Sequence, residues 1–380
     1  MKRRDFIALG SALAALSPAR AGDRNSMHSK EEPNRVDFIH DGKQLSPQEY
    51  ASLLLQLGDE GKIKPDYYSN GGVVEELEHK FALLLGKESA VFMPTGTLAN
   101  HLAVRRLADK NRKVIVQEQS HFYNDSGDCA QTLSGLNLIP LGSGEVDFGL
   151  TEVEKIIDQA KKARVETRLG VIAIETPVRR LSDRMFDEDK LKSITDFART
   201  SGIQTHLDGA RIFIQAAHSK KNPAQYGAMV DTIYTSLWKC FNAPSGAILA
   251  GSKEFTTGLF HERRMFGGSL PAAWPLASIA LHFADGFLED YRSAWAKSTQ
   301  FIEILKKYER FKPVFFDKGS HIIQLNITHT NLNRFRENLL KKHVELGEPN
   351  SQGFLLRINP TLNRQSPEYL ASSFLEALKA

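Results

Sequence analysis

The chain has 380 residues, enough for two medium domains and a sizeable core without disulfide or metal staples. Hydrophobic residues make up 41% and charged residues 25%, with 27 Gly and 15 Pro, which excludes a mainly disordered, collagen-like or coiled-coil chain. Lys and Arg number 49 against 45 Asp and Glu, a formal charge of +4, and a nucleic-acid binder would gather such a surplus on one face or stripe.

The surplus instead sits largely at the start, where Lys2, Arg3, Arg4 and Arg20 against Asp5 give +3 and leave the rest at about +1. No nucleic-acid partner is therefore expected. The positive head, an eleven-residue apolar middle over 7–17 and the exit Ala19-Arg20-Ala21 are the three parts of an export signal. The middle is too short for a bilayer span, which takes about 20 residues as a helix. The arginine pair with Phe6 two positions after it resembles a twin-arginine signal; a mobile basic N-terminus and a Sec signal are the alternatives. The expectation is a signal over 1–21 and export to the periplasm by a route that carries folded, often cofactor-loaded, proteins. No Cys follows the exit, so no membrane anchor is expected.

Residues 22–49 read as an arm, polar in its first part. Beyond it, β-rich runs at 90–93, 113–117, 171–175, 204–207, 232–237 and 246–250 alternate with helical patterns at 73–85, 151–163 and 187–200. This alternation predicts an α/β domain over 50–262, with a large, mostly parallel sheet covered on both faces. After Gly267-Gly268 come a long helical stretch at about 271–308, strand-like 321–327, helical 331–343, strand-like 353–359 and a terminal helix. They predict a smaller C-terminal α/β domain over 263–380.

The segment Pro94-Thr95-Gly96-Thr97-Leu98-Ala99-Asn100 leaves a β-rich run and opens a helix. Gly96 allows close backbone approach, and the threonine hydroxyls and free N–H groups can hold a phosphate or simply cap the helix. Asp208, in His206-Leu207-Asp208-Gly209-Ala210-Arg211, ends a run where open α/β sheets bind ligands, although a loop-capping carboxylate would look the same. Lys239, in Thr235-Ser236-Leu237-Trp238-Lys239, is either a surface lysine or a desolvated amine nucleophile. Ser236-x-x-Lys239 also fits the S-x-x-K of serine β-lactamases, but neither companion tripeptide of that motif occurs. His121 and Arg357, taken singly, are an ordinary loop histidine and an ion-pair residue.

Together these groups fit pyridoxal phosphate. Thr95, Gly96, Thr97, Asn100 and Ser236 would hold the cofactor, and His121 would stack on its ring. Asp208 would pair with the ring nitrogen and Lys239 would bond to the aldehyde carbon. Arg357 would clamp the substrate carboxylate. With two cysteines and no clustered ligand pattern, no metal site is expected. Cys129 and Cys240 read as thiols rather than a bridge.

Four segments resemble, in the same order, the L-threonine aldolase branch of the β-eliminating lyases. They are 92–100, His206-Leu207-Asp208-Gly209-Ala210-Arg211-Ile212-Phe213, 236–247 and Arg263-Arg264-Met265-Phe266-Gly267-Gly268. The resemblance implies a fold-type-I pyridoxal-phosphate enzyme, with Arg211 on cofactor or carboxylate and Arg263 near a phosphate, its own or a neighbour's. It also implies Tyr68 at a subunit interface and a homodimer or homotetramer with shared sites, acting on a small amino acid.

Departures fall on the substrate half. Members of the family carry Glu-Asn-Thr-His where this chain has Glu175-Thr176-Pro177-Val178, so the histidine that contacts the substrate hydroxyl is replaced. His40, in Ile39-His40-Asp41-Gly42, stands where they have a substrate-contacting Ser; Trp238 and Ser126 are further changes. His121, His40 or a water must then take the hydroxyl proton. The implied reaction is cleavage of a β-hydroxy-α-amino acid to glycine and an aldehyde, on a substrate other than threonine or with relaxed choice. The same residues could serve β-elimination, racemisation or transamination, or a catalytically silent binding protein.

Overall fold

Among the residues described by the computed structural model, 35–219 and 221–379, twelve strands form three sheets. They are β1 (Val36–Asp37), β2 (Ser89–Met93), β3 (Lys113–Gln117), β4 (Asn137–Leu141), β5 (Leu169–Glu175), β6 (Gln204–Asp208), β7 (Thr232–Ser236), β8 (Ala247–Gly251), β9 (Phe311–Phe315), β10 (Ile322–Ile327), β11 (Val344–Glu345) and β12 (Gly353–Arg357). The expected export signal, and the arm up to residue 34, lie outside the described residues.

The main sheet has the order β2-β8-β7-β6-β5-β3-β4. Strands β4, β3, β5, β6 and β7 run parallel, and β8 is antiparallel to both β7 and β2. Strand β2 therefore points the same way as the parallel set, and six strand exits on this sheet can share one edge. Every residue of β5, β7 and β8 is buried, as a sheet with helices on both faces requires. Strand β4 gave no sequence signal because it is a half-exposed edge carrying Asn137 and Pro140, positions where a missing N–H costs no central ladder bond.

The helical patterns appear as Gly72–Leu84, Leu150–Lys162 and Glu188–Thr200. Asp187 fixes the start of the third by accepting from the N–H groups of Asp189 and Lys190, each at 3.1 Å, and Leu191, Ile194 and Ala198 bury its inner face. The long stretch near 271–308 is two helices, Trp274–Ala284 and Phe287–Leu305, broken at Asp285-Gly286, where glycine is a poor helix former.

Strands β12, β10 and β9 form an antiparallel sheet over a second apolar core that includes Phe301, Phe311, Phe335, Phe354 and Phe374. The end of the arm is part of this structure: β1 pairs with β11, and Val36 and Phe38 are fully buried in the second core. Residues 273–291 pack instead with the main sheet, through Ala277, Ile279, Phe287 and Tyr291. Helix Phe287–Leu305 thus passes from one core to the other. No helix of the described residues is long and apolar enough to cross a membrane.

Candidate active site

Strands β2, β3, β5, β6 and β7 send their C-terminal ends to one edge of the main sheet, where open parallel sheets bind ligands. A cavity of about 220 Å³ lies there, and it collects residues that are far apart in sequence. After β7 the chain turns into the short helix Leu237–Cys240, which delivers Lys239 to the cavity wall, 9% exposed. Burial, and then the neighbouring Arg211, push its amine down to about 8 against the pull of Asp208, Asp41 and Asp183. Its Nζ lies 5.6 Å from the ring centroid of Trp238, which is 45% exposed and lines the same cavity.

After β2, Thr95 caps helix Gly96–Ala108 by accepting from the Leu98 N–H at 3.2 Å, and Thr95, Gly96 and Thr97 line the cavity. The first N–H groups of such a helix have no partner within it, which suits a phosphate. Gly96 is required by contact rather than by backbone angle: a Cβ there would sit 2.0 Å from the Tyr234 hydroxyl. Ser245 braces this loop by donating to the Pro94 carbonyl at 2.7 Å.

Asp208, at the end of β6, lines the cavity and is held from behind. The Asn100 amide donates to its Oδ2 at 2.6 Å, and the Ala210 N–H donates to Oδ1 at 3.1 Å. Asn100 Oδ1 lies 2.8 Å from His206 Nε2, and His206 Nδ1 lies 2.8 Å from the Thr232 hydroxyl. Burial pushes His206 down to about 4, so the ring is neutral. The chain then runs one way: Thr232 donates to His206, His206 to Asn100 and Asn100 to Asp208. Asn100 was expected on the cofactor; it is almost wholly buried and positions Asp208 instead. Its predicted helix face turns toward β6, which the motif alone could not reveal.

His121 opens a short helix after β3 and lines the cavity, its ring Nδ1 buried without a partner. Burial, the larger effect, lowers its pKa. Its placement depends on Glu175 at the end of β5. Glu175 Oε2 accepts from the His121 N–H at 2.5 Å, and Oε1 accepts from the Arg179 N–H at 2.9 Å. Burial, and then Asp208 beside it, push Glu175 up to about 8. Val178, which stands in place of the histidine implied by the resemblance, is wholly buried, and Arg179 beyond it lines the cavity.

Arg211 also lines the cavity, but its charge is already matched. Its Nε donates to Asp41 Oδ2 at 2.9 Å, and Nη1 lies 3.3 Å from Asp183 Oδ1. Arg357 Nη1 donates to the same two carboxylates, to Asp41 at 2.8 Å and to Asp183 at 2.5 Å. His321 Nε2 is 2.8 Å from Asp41. Burial raises the pKa of Asp41, and Arg211, Arg357 and His321 more than reverse it, holding the group well below the usual carboxylate range. Asp41, Asp183 and His321 bring ligand atoms within 4.8 Å of one another, yet two guanidiniums already sit on the carboxylates. Asp41 reaches the cluster because Gly42 packs flat on the lysine helix, where a Cβ would meet the Lys239 carbonyl at 2.5 Å.

Besides Asn100, four expected site residues fall outside the cavity lining. Arg357 is held in the cluster just described. His40 pairs with Asp37, its Nδ1 2.5 Å from Oδ2. Ser236, the last residue of β7, is fully buried. Arg263 is fully buried too, and its two Nη groups donate to the carbonyls of Phe92, Tyr68 and Ser69 and to Asn70 Oδ1. Conversely, Glu175 entered the sequence reading only as the first residue of the run that stands for Glu-Asn-Thr-His, with no role assigned to it, and neither Arg179, which follows that run, nor Asp183 carried a signal. Cys129 and Cys240 are free thiols.

The donor set fits pyridoxal phosphate: a buried amine, a fixed carboxylate, an unpartnered imidazole and an open helix start around one cavity. The family model for beta-eliminating lyases matches residues 57–328. Over 232 residues the chain is 27% identical to a low specificity L-threonine aldolase of Saccharomyces cerevisiae, covering 60% of this chain and 59% of that one. Over 224 residues it is 26% identical to a protein of the same description from Escherichia coli, covering 58% of this chain and 65% of the other. The chain thus spans less than two thirds of these relatives' length. Among solved structures, a putative aromatic amino acid beta-eliminating lyase/threonine aldolase from Exiguobacterium sp. superposes with a TM-score of 0.76 at 22% identity, covering 90% of this chain and 96% of that one. That likeness establishes the shared fold, and the family match spans the whole main sheet and every wall of the cavity. The chain belongs to the beta-eliminating lyase family.

Proposed function

We propose that the protein is a pyridoxal-phosphate-dependent carbon–carbon lyase of the threonine aldolase type, cleaving a β-hydroxy-α-amino acid to glycine and an aldehyde. The observation that carries this reading is the convergence of Lys239, Asp208, His121 and the Thr95-Gly96-Thr97 turn on one cavity. When bound, pyridoxal phosphate supplies an electron sink that weakens bonds at the α-carbon of an attached amino acid. Lys239, with its amine pushed down to about 8, can carry and release a proton near neutral pH. Asp208 stays oriented through Asn100, and the 95–97 N–H groups orient the phosphate end. Cleavage needs a base for the β-hydroxyl proton. Val178 is turned into the core and His40 is tied to Asp37, so His121, with its lowered pKa and unpartnered Nδ1, is the imidazole available for it.

Four further statements belong to this reading. The substrate is a small amino acid. The protein works as a homodimer or homotetramer with sites shared between subunits, which would give buried Arg263 and the adjoining Tyr68 segment a role across an interface. The first 21 residues act as a twin-arginine-type signal, and the destination is the periplasm. Replacing Arg3 and Arg4 with Lys should then leave the protein in the cytoplasm. For the reaction itself, purified protein is incubated with threonine, allo-threonine and phenylserine. Glycine and an aldehyde in equal amounts are expected; no turnover of the whole panel would overturn the assignment, and ammonia with a keto acid would mark β-elimination instead.

A further inference from the structure

Resting on the lyase reading above, we infer that Arg179 is the residue that receives a carboxylate of the substrate. Two clusters of arginine border the site, and they differ in charge balance. In the inner one, Arg211 and Arg357 face Asp41 and Asp183, two cations on two anions, with every partner within 3.3 Å. That cluster is neutral, and Arg357 is not on the cavity wall. In the outer one, Arg179 and Arg180 share a single carboxylate, Asp125, at 2.5 and 3.2 Å. The other contact of Arg180 is to the neutral amide of Gln119, at 3.4 Å. One positive charge is left uncancelled at the rim, and of the two arginines it is Arg179 that lines the cavity, 41% exposed.

The position of Arg179 is built, since its N–H is held by Glu175, whose other oxygen holds the N–H of His121. One side chain thereby fixes the proposed base and the proposed anion receptor relative to each other. The remaining charged groups on the wall offer a carboxylate nothing better. Asp208 and Glu175 repel or ignore it, Lys239 is committed to the cofactor, and Arg211 is matched by its aspartates. A guanidinium with one edge on Asp125 can present its remaining N–H groups to a second carboxylate as a charge-assisted pair.

The carboxylate is either the one on the α-carbon or one on the side chain, and the binding experiment separates these. Calorimetric titrations of the cofactor-loaded protein use threonine, threoninamide and β-hydroxyaspartate, with wild type, Arg179→Gln and Asp125→Asn. Arg179→Gln should weaken binding about tenfold or more. If the α-carboxylate is the ligand, threonine loses affinity and threoninamide does not. If the side-chain carboxylate is the ligand, only β-hydroxyaspartate loses affinity. In either case Asp125→Asn, which frees the guanidinium, should tighten the same ligand. Binding of threonine and β-hydroxyaspartate unchanged within twofold in Arg179→Gln overturns the inference, as does equal weakening of threonine and threoninamide. Those results leave the lyase reading standing if wild type still yields glycine; wild type that neither binds nor cleaves any of the three overturns both.

Discussion

The most exposed consequence of the site's electrostatics is the state of the Lys239 amine. Its pKa falls from 10.5 to about 8. At pH 7.5 that makes roughly a quarter of the amine neutral instead of about one part in a thousand, a gain of about 200-fold in reactive nucleophile. The perturbation is pH itself, followed by one neighbour. Cofactor-free protein is mixed with pyridoxal phosphate, and the rate of appearance of the bound cofactor's absorbance is recorded from pH 6 to 10. The rate should rise with pH and reach half its plateau near 8, and Lys239→Ala should give no such band. Asp208 raises the amine's pKa by favouring its charged form, so Asp208→Asn should move the half-point below 8. A half-point near 10.5, or an upward shift in Asp208→Asn, would refute the picture of a buried amine tuned by these neighbours.

Asn100→Ala removes the link between His206 and Asp208 and leaves both buried groups short of a partner, a cost of about 2–5 kcal/mol by urea unfolding. A loss below about 1 kcal/mol would contradict the hydrogen-bond chain. Glu175 keeps its proton up to about 8 in the folded chain against 4.5 as a free group. The native state therefore binds the extra proton, and stability should fall as pH rises from about 4.5 to about 8. Unfolding of Glu175→Gln should lack that component of the slope, and identical slopes in variant and wild type would count against it. Val178→His should add no lyase activity and should cost about 1–3 kcal/mol, because the imidazole enters the core rather than the cavity; a gain of glycine production would mean that this turn presents its side chain to the substrate. Gly96→Ala should weaken cofactor retention in equilibrium dialysis by at least tenfold, since the helix start must move off Tyr234. Undiminished retention would contradict the assigned phosphate loop.

The parallel sheet was legible because its buried strands are continuous apolar runs and its helices have one apolar face, as in Lys113–Gln117 and Glu188–Thr200. Strand β4 was not, because an edge strand needs neither. On the cofactor side, Lys239, Asp208 and the Thr95-Gly96-Thr97 turn stand at strand exits, and exits are what local sequence reveals best. The substrate side was less legible, for a different reason. The sequence offers Arg357 as a carboxylate clamp or an ion-pair residue and names no partner for it or for Arg211, and only the fold brings Asp41 and Asp183, which lie 142 positions apart, onto both of them. Nor does the sequence name a protein partner for Arg263, which donates to backbone carbonyls of the 68–70 turn. A charge pattern along a chain records how many arginines exist, while their availability depends on partners that arrive through space.

The central claim is that the cavity around Lys239 holds pyridoxal phosphate through that amine. Protein purified with its cofactor is reduced with borohydride, digested and mapped by mass spectrometry. The expected result is a pyridoxyl-phosphate adduct on Lys239 and on no other lysine. An unmodified Lys239, or an adduct elsewhere, would contradict the account.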